Sequence, residues 1–163
     1  MKHVTPERYA LGLDAEKRFA DQCLYDITLA NKDEDIFEHW DVKGKLNHLN
    51  NSHEFKFDVK AIKNVTIDQN KDECTWIEGT NVMGDKGWIK GLADYIVFER
   101  HHSWLIVDRP KLHDFIFDKL QKNNYKLGKG LYMIYTREGK KDKITLVPFN
   151  DIKQITHYEI NKQ

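Results

Sequence analysis

The chain has 163 residues, 40% apolar and 32% charged, with 26 basic residues balanced by 26 acidic ones. That length suits one domain with a single core. The balanced charge excludes a strong whole-molecule field for nucleic acid, so a DNA-binding surface has to be a local patch. No apolar run approaches the ~20 residues that span a bilayer, and Met1–Arg8 lacks an apolar signal region. Cys23 and Cys74 stand far apart in apolar settings and read as reduced core thiols of a cytoplasmic protein.

Thr5-Pro6-Glu7 is a helix start, with Thr5 as cap and Pro6 at the first helical position. Asp14 caps a continuation or a second helix after Gly12. Glu16, Ala20, Cys23 and Ile27 step by four, three and four along one helical stripe. Glu16 therefore reads two ways. As a carboxylate on an inner stripe it needs a partner, a cation or a metal; as an acid in the Asp14-capped turn it needs only the helix dipole.

Ile36–Lys43 is the first expected strand, with Trp40 and Val42 on one face and His39, Asp41 and Lys43 on the other. Gly44–Ser52 is a polar hairpin connection. Glu54–Lys63 is the second strand. Phe55, Phe57, Val59 and Ala61 alternate with Glu54, Lys56, Asp58 and Lys60. If the two strands pair, Asp41, Asp58 and Lys60 converge on one patch, a set that binds a hard metal and activates a water. The bland alternative is an amphipathic hairpin with a wet face, on which Asp58 and Lys60 form a weak surface pair.

Val65–Glu73 is an expected loop, and Cys74–Thr80 a third strand on which Trp76 and Glu78 share a face. Asn81–Gly91 reads as a mobile loop with at most a short helix. Its Lys86, Trp88 and Lys90 suit phosphate contact and base stacking, or a plain surface loop anchored by one tryptophan. Tyr95–Glu99 and Ser103–Arg109 form an antiparallel hairpin, and Pro110 starts a helix with Leu112, Phe115, Ile116 and Leu120 inward. Tyr132–Tyr135 and Lys143–Val147 are two more strands, and Asn150 or Asp151 caps a last helix with Ile152 and Ile155 inward. The expected architecture is a mixed α/β domain, residues 1–163, with a largely antiparallel central sheet. A His-Asn-His type nuclease built on His39, Asn47-His48 and His53 lacks the setting such a site needs, and zinc spacings are missing.

The ordered set of Glu16, Asp41, Asp58-Val59-Lys60 and Glu78, followed by a glycine-rich segment, resembles the PD-(D/E)xK nuclease superfamily. The likeness is to its small phage and prophage members, and it covers roughly residues 14–109. Asp41 matches the first acid and Asp58-Val59-Lys60 the (D/E)-x-K element. Trp40 stands where the motif has proline, and Asp58 is the shorter of the two allowed acids. The resemblance implies a restriction-endonuclease-like central mixed sheet flanked by helices, and Mg²⁺- or Mn²⁺-dependent hydrolysis of DNA phosphodiesters. Many relatives act as homodimers. Asp41, Asp58 and the Val59 carbonyl would hold the metal, with Glu16 completing or hydrogen-bonding its shell. Lys60 would orient or deprotonate the attacking water, or stabilise charge. The competing class is a catalytically inactive DNA- or protein-binding module on the same fold.

Overall fold

The structure is a computed structural model that describes residues 6–50, 53–62 and 73–163, with side chains from residue 12 onward. Thr5 and nearly all of the expected 65–73 loop lie outside the described residues. The fold is mixed α/β, and the chain divides into two compact units, each built from several stretches of sequence. No described helix is long and apolar enough to cross a membrane.

The first unit carries α1 (Pro6–Cys23), β1 (Leu24–Leu29), β2 (Val42–Leu46), β3 (Phe55–Lys60), β5 (Tyr95–Glu99), β6 (Ser103–Asp108) and β8 (Tyr158–Asn161). Its six strands form one sheet in the order β1-β2-β3-β5-β6-β8. Every pairing is antiparallel except β3 with β5, which is parallel. The expected β2–β3 and β5–β6 hairpins are both present. α1 packs its Ala15, Phe19, Ala20 and Cys23 against Phe57 and Val59 of β3, Val97 of β5 and Trp104 of β6. The Phe19 ring meets those of Phe57 and Trp104 edge-on at 5.3 and 5.4 Å. A buried ring in such an arrangement contributes on the order of 1 kcal/mol beyond its area.

Three expectations fail in this unit. α1 is unbroken through Gly12 and Asp14, so Asp14 caps nothing. The helix ends at Cys23, and Ile27, expected on its stripe, lies 42% exposed on the edge strand β1. Tyr25, Ile27 and Thr28 are strand-forming types, and pairing with β2 outweighs the helical spacing. The strand expected from Ile36 begins only at Val42. Residues Glu34–Glu38 form a short π-helical turn, and His39 takes a left-handed conformation (φ 56°) that swings the chain into β2. β8 had no expected counterpart.

The second unit carries β4 (Cys74–Thr80), a 3₁₀ turn (Trp88–Lys90), α2 (Arg109–Lys122), β7 (Lys143–Pro148) and α3 (Phe149–Gln154). β4 is the third strand expected at Cys74–Thr80. It pairs with β7, antiparallel, as a separate two-stranded sheet. Leu112, Ile116 and Leu120 are buried on α2 as expected, and Ile152 on α3. The expected strand at Tyr132–Tyr135 is replaced by irregular chain with single bridges, Leu131 to Leu146 and Tyr135 to Ile144. Tyr132 is held there by its hydroxyl, which donates to Asp151 Oδ2 at 2.6 Å. Both cysteines are free, Cys23 buried and Cys74 only half-buried.

Candidate metal centre

β3 runs through the middle of the six-stranded sheet, between β2 and β5. Alternation sends Phe57 and Val59 into the core shared with α1, and sends Asp58 and Lys60 to the opposite face. That face is not wet. The parallel partners of Asp58 and Lys60 on β5 are Ile96 and Phe98, both buried. Asp58 is 3% exposed. Lys60, 27% exposed at its side chain, brings Nζ to 2.8 Å from Asp58 Oδ1. Asp58 Oδ2 is buried with no hydrogen-bond partner. The weak-surface-pair alternative therefore fails: this is a desolvated carboxylate with one oxygen satisfied and one not.

Asp41 reaches the same place from the turn before β2. Its N–H donates to Phe57 O at 2.8 Å, and its carbonyl accepts from Ala30 N–H at 2.9 Å, so its backbone is held between β1 and β3. The preceding Trp40 is fully buried, and its indole N–H donates to Glu38 Oε2 at 2.7 Å. With the main chain so fixed, Asp41 Oδ2 accepts the Val59 N–H at 2.7 Å. The Val59 nitrogen belongs to the peptide that joins it to Asp58, which places the two carboxylates side by side. Some surface of Asp41 stays accessible, yet dense protein surrounds it. Burial pushes its carboxyl well above the usual range, the Asp58 and Glu16 charges push further, and Lys60 and the Val59 N–H only partly offset them.

Glu16 is half-buried in the middle of α1, far from either end. The dipole explanation for an acid at this position no longer applies, because no turn starts at Asp14. Its charge acts on Asp41, more weakly than that of Asp58. Among the described residues no three His, Cys, Asp or Glu side chains gather as a metal-holding group. Asp41 and Asp58 stand side by side, and Glu16 bears on them through its charge on Asp41.

The remaining expected residues lie in the second unit. Glu78 is half-buried on β4. The 81–91 segment, expected to be mobile, is tied to β4: Gly87 N–H donates to Gly79 O at 3.1 Å, and Lys86 bridges Thr80. A Cβ on Gly87 would stand 2.2 Å from Glu78 O, so only glycine permits this approach. Asn81 Oδ1 accepts from the N–H groups of Met83 and Asp85 and closes the turn. Lys86 and Lys90 are exposed and Trp88 half-buried. Sequence reasoning missed Glu99, which is 4% exposed. Both its oxygens are served, by Arg18 at 2.9 Å twice and Lys162 at 3.1 Å. A charge closing the apolar run Tyr95–Phe98 was the available signal.

No protein-family model matches the chain, no curated protein matches its sequence, and no solved structure matches it.

Proposed function

We propose that the chain is a metal-dependent deoxyribonuclease whose centre is Asp41, Asp58 and Lys60, on a fold of the restriction-endonuclease-like type. The observation that carries this is the buried Asp58 carboxylate, one oxygen on Lys60 and the other unpartnered, beside an Asp41 whose ionisation is suppressed. An arrangement this unfavourable for the protein alone fits a hard divalent cation, which takes oxygen donors and keeps several of its waters. Asp41 and Asp58 would hold Mg²⁺ or Mn²⁺, with the Val59 carbonyl as the third donor the resemblance implies. When bound, the cation would supply charge for the phosphoryl oxygens and a water of lowered pKa.

The chain's own residues do the rest. Val59 N–H fixes the orientation of Asp41. Ile96 and Phe98 keep bulk water from the Asp58 side of β3, which strengthens each charge interaction there. Lys60 keeps an accessible ammonium beside Asp58, in place to orient a water or to meet charge developing on a scissile phosphate. Glu16 would complete or hydrogen-bond the metal shell, and its charge bears on Asp41. Lys86, Trp88 and Lys90 remain proposed DNA contacts of the second unit.

The test is cleavage of linear, nicked and four-way DNA with Mg²⁺ or Mn²⁺, comparing the wild type with Asp58→Asn. Metal-dependent cleavage by the wild type alone is expected. No cleavage of any substrate with either metal would overturn the proposal and leave a DNA- or protein-binding module.

A further inference from the structure

The second unit contains a cavity of about 200 Å³ between the β4–β7 ladder, the 3₁₀ turn and α2. Its walls are aliphatic: Ile77 from β4, Ile89 from the turn, Ile116 and Leu120 from α2, and Ile134. An apolar cavity of about 150 Å³ already admits a benzene ring, so the space is large enough for a small ligand. Thr145 of β7 also lines it. This side chain is 5% exposed, and its Oγ1 has no hydrogen-bond partner. A buried hydroxyl left unpaired costs about as much as a hydrogen bond contributes, and calls for a polar group from elsewhere. Lys143 lies two residues before Thr145 on β7, hence on the same face, and lines the cavity with Lys90. Lys90 holds its ammonium 5.3 Å from the Phe117 ring centroid. Neither ammonium has a carboxylate partner among the described residues, and none of the described lining residues is acidic.

We infer that this cavity binds a short alkyl chain carrying a carboxylate head. The head accepts from the Thr145 hydroxyl and pairs with Lys143 and Lys90, while the tail lies along the isoleucines. A nucleobase fits the walls less well, because Phe117 alone offers a stacking face and the remaining contacts are aliphatic. The inference is independent of the nuclease proposal. It assigns Lys90 a role that needs no DNA.

Gly79 provides the decisive variant. A Cβ at Gly79 would lie 3.7 Å from Lys143 O and 4.0 Å from Phe117 Cζ, both ordinary contacts. The backbone at Gly79 therefore has room for a Cβ, and Gly79→Val is expected to fill the space a ligand needs. Calorimetric titration of the full chain with octanoate, 1-octanol and acetate is the experiment. Octanoate is expected to bind saturably at one per chain. Octanol should bind about tenfold more weakly for want of the charged head, and acetate should not saturate. Gly79→Val should abolish octanoate binding. Thr145→Val, which keeps the shape and removes the hydroxyl, should weaken it with no loss of melting temperature in the free protein. Absence of saturable octanoate binding would overturn the inference, as would equal affinity for octanol. If Gly79→Val does not fold, Thr145→Val decides alone: undiminished octanoate affinity in that variant rejects the site.

Discussion

Replacing Asp58 by asparagine should separate the energetics of the metal-free protein from those of the metal-bound one. In chelator, two local effects oppose each other. The substitution replaces a buried, charged Oδ2 that has no partner by a neutral amide atom in the same place, which lowers a penalty of about 1–3 kcal/mol, larger for a charged group, without abolishing it. It also turns the 2.8 Å contact with Lys60 from a charge-assisted bond, contributing roughly 1.5–3 kcal/mol, into a weaker one. Wild type and Asp58→Asn should therefore unfold within about 2 kcal/mol of each other without metal. With Mn²⁺ at a hundred times its dissociation constant, the wild type should gain about 2.7 kcal/mol. For a chain of this length that raises the melting temperature by roughly 5–11 °C. Asp58→Asn should gain no comparable amount. Differential scanning calorimetry in chelator and across a Mn²⁺ series measures both arms. An equal rise in wild type and variant would refute the assignment of Asp58 as a ligand. So would a variant that loses more than about 3 kcal/mol in chelator, since Asp58 and Lys60 would then be a structural pair.

Lys60→Met should behave differently in chelator, because it strands a buried carboxylate instead of removing one; a loss of about 3–5 kcal/mol is expected, recovered in part by Mn²⁺, and chemical unfolding with and without metal reads it. Glu16→Gln removes one of the charges that suppress ionisation of Asp41, so metal-free stability should hold or rise while the Mn²⁺-induced shift shrinks; a drop in stability with an unchanged metal shift would make Glu16 structural. For Glu99, burial raises the carboxyl, but the hydrogen bonds from Arg18 and Lys162 outweigh it and hold the group below its ordinary range. Its stabilisation is complete above the unfolded value of about 4.3 and is lost as pH falls through the lower folded value. Urea unfolding between neutral and acid pH should show a shallower acid decline in Glu99→Gln, and an identical decline would discount the cluster.

The hairpins were readable because their signals are local. Alternation over Phe55–Lys60 placed β3, and the short His101-His102 turn joined β5 to β6. What alternation does not carry is whether a face meets water. The Asp58 face is dry along with the buried Ile96 and Phe98 of β5, its parallel neighbours, and parallel neighbours are distant in sequence. The unbroken apolar run Tyr95–Phe98 was the sign of a strand covered on both faces, yet nothing local tied that run to Asp58. β1 carries a misleading local signal for a related reason. Ile27 continues the spacing of Ala20 and Cys23, and only the pairing of Leu24 and Tyr25 with Leu46 and Lys45 ends the helix.

Two buried acids of the first unit show why burial alone does not mark a site. Glu99 and Asp58 both sit within strands of the same sheet, and both are almost wholly removed from water. Glu99 has two cations on its two oxygens, so the protein by itself satisfies the charge. Asp58 has one cation on one oxygen and nothing on the other, and its neighbour is a second acid, Asp41, whose ionisation burial and the Asp58 charge suppress. A fold that needed only an ion pair at β3 would have been served by the Glu99 arrangement. Asp58 Oδ2 is left without a partner, and the proposed divalent cation would serve it together with Asp41 once both are ionised. Composition gives no hint of this difference, since each acid is one of 26 in the chain. It comes from which side chains the sheet order brings within about 3 Å of each oxygen.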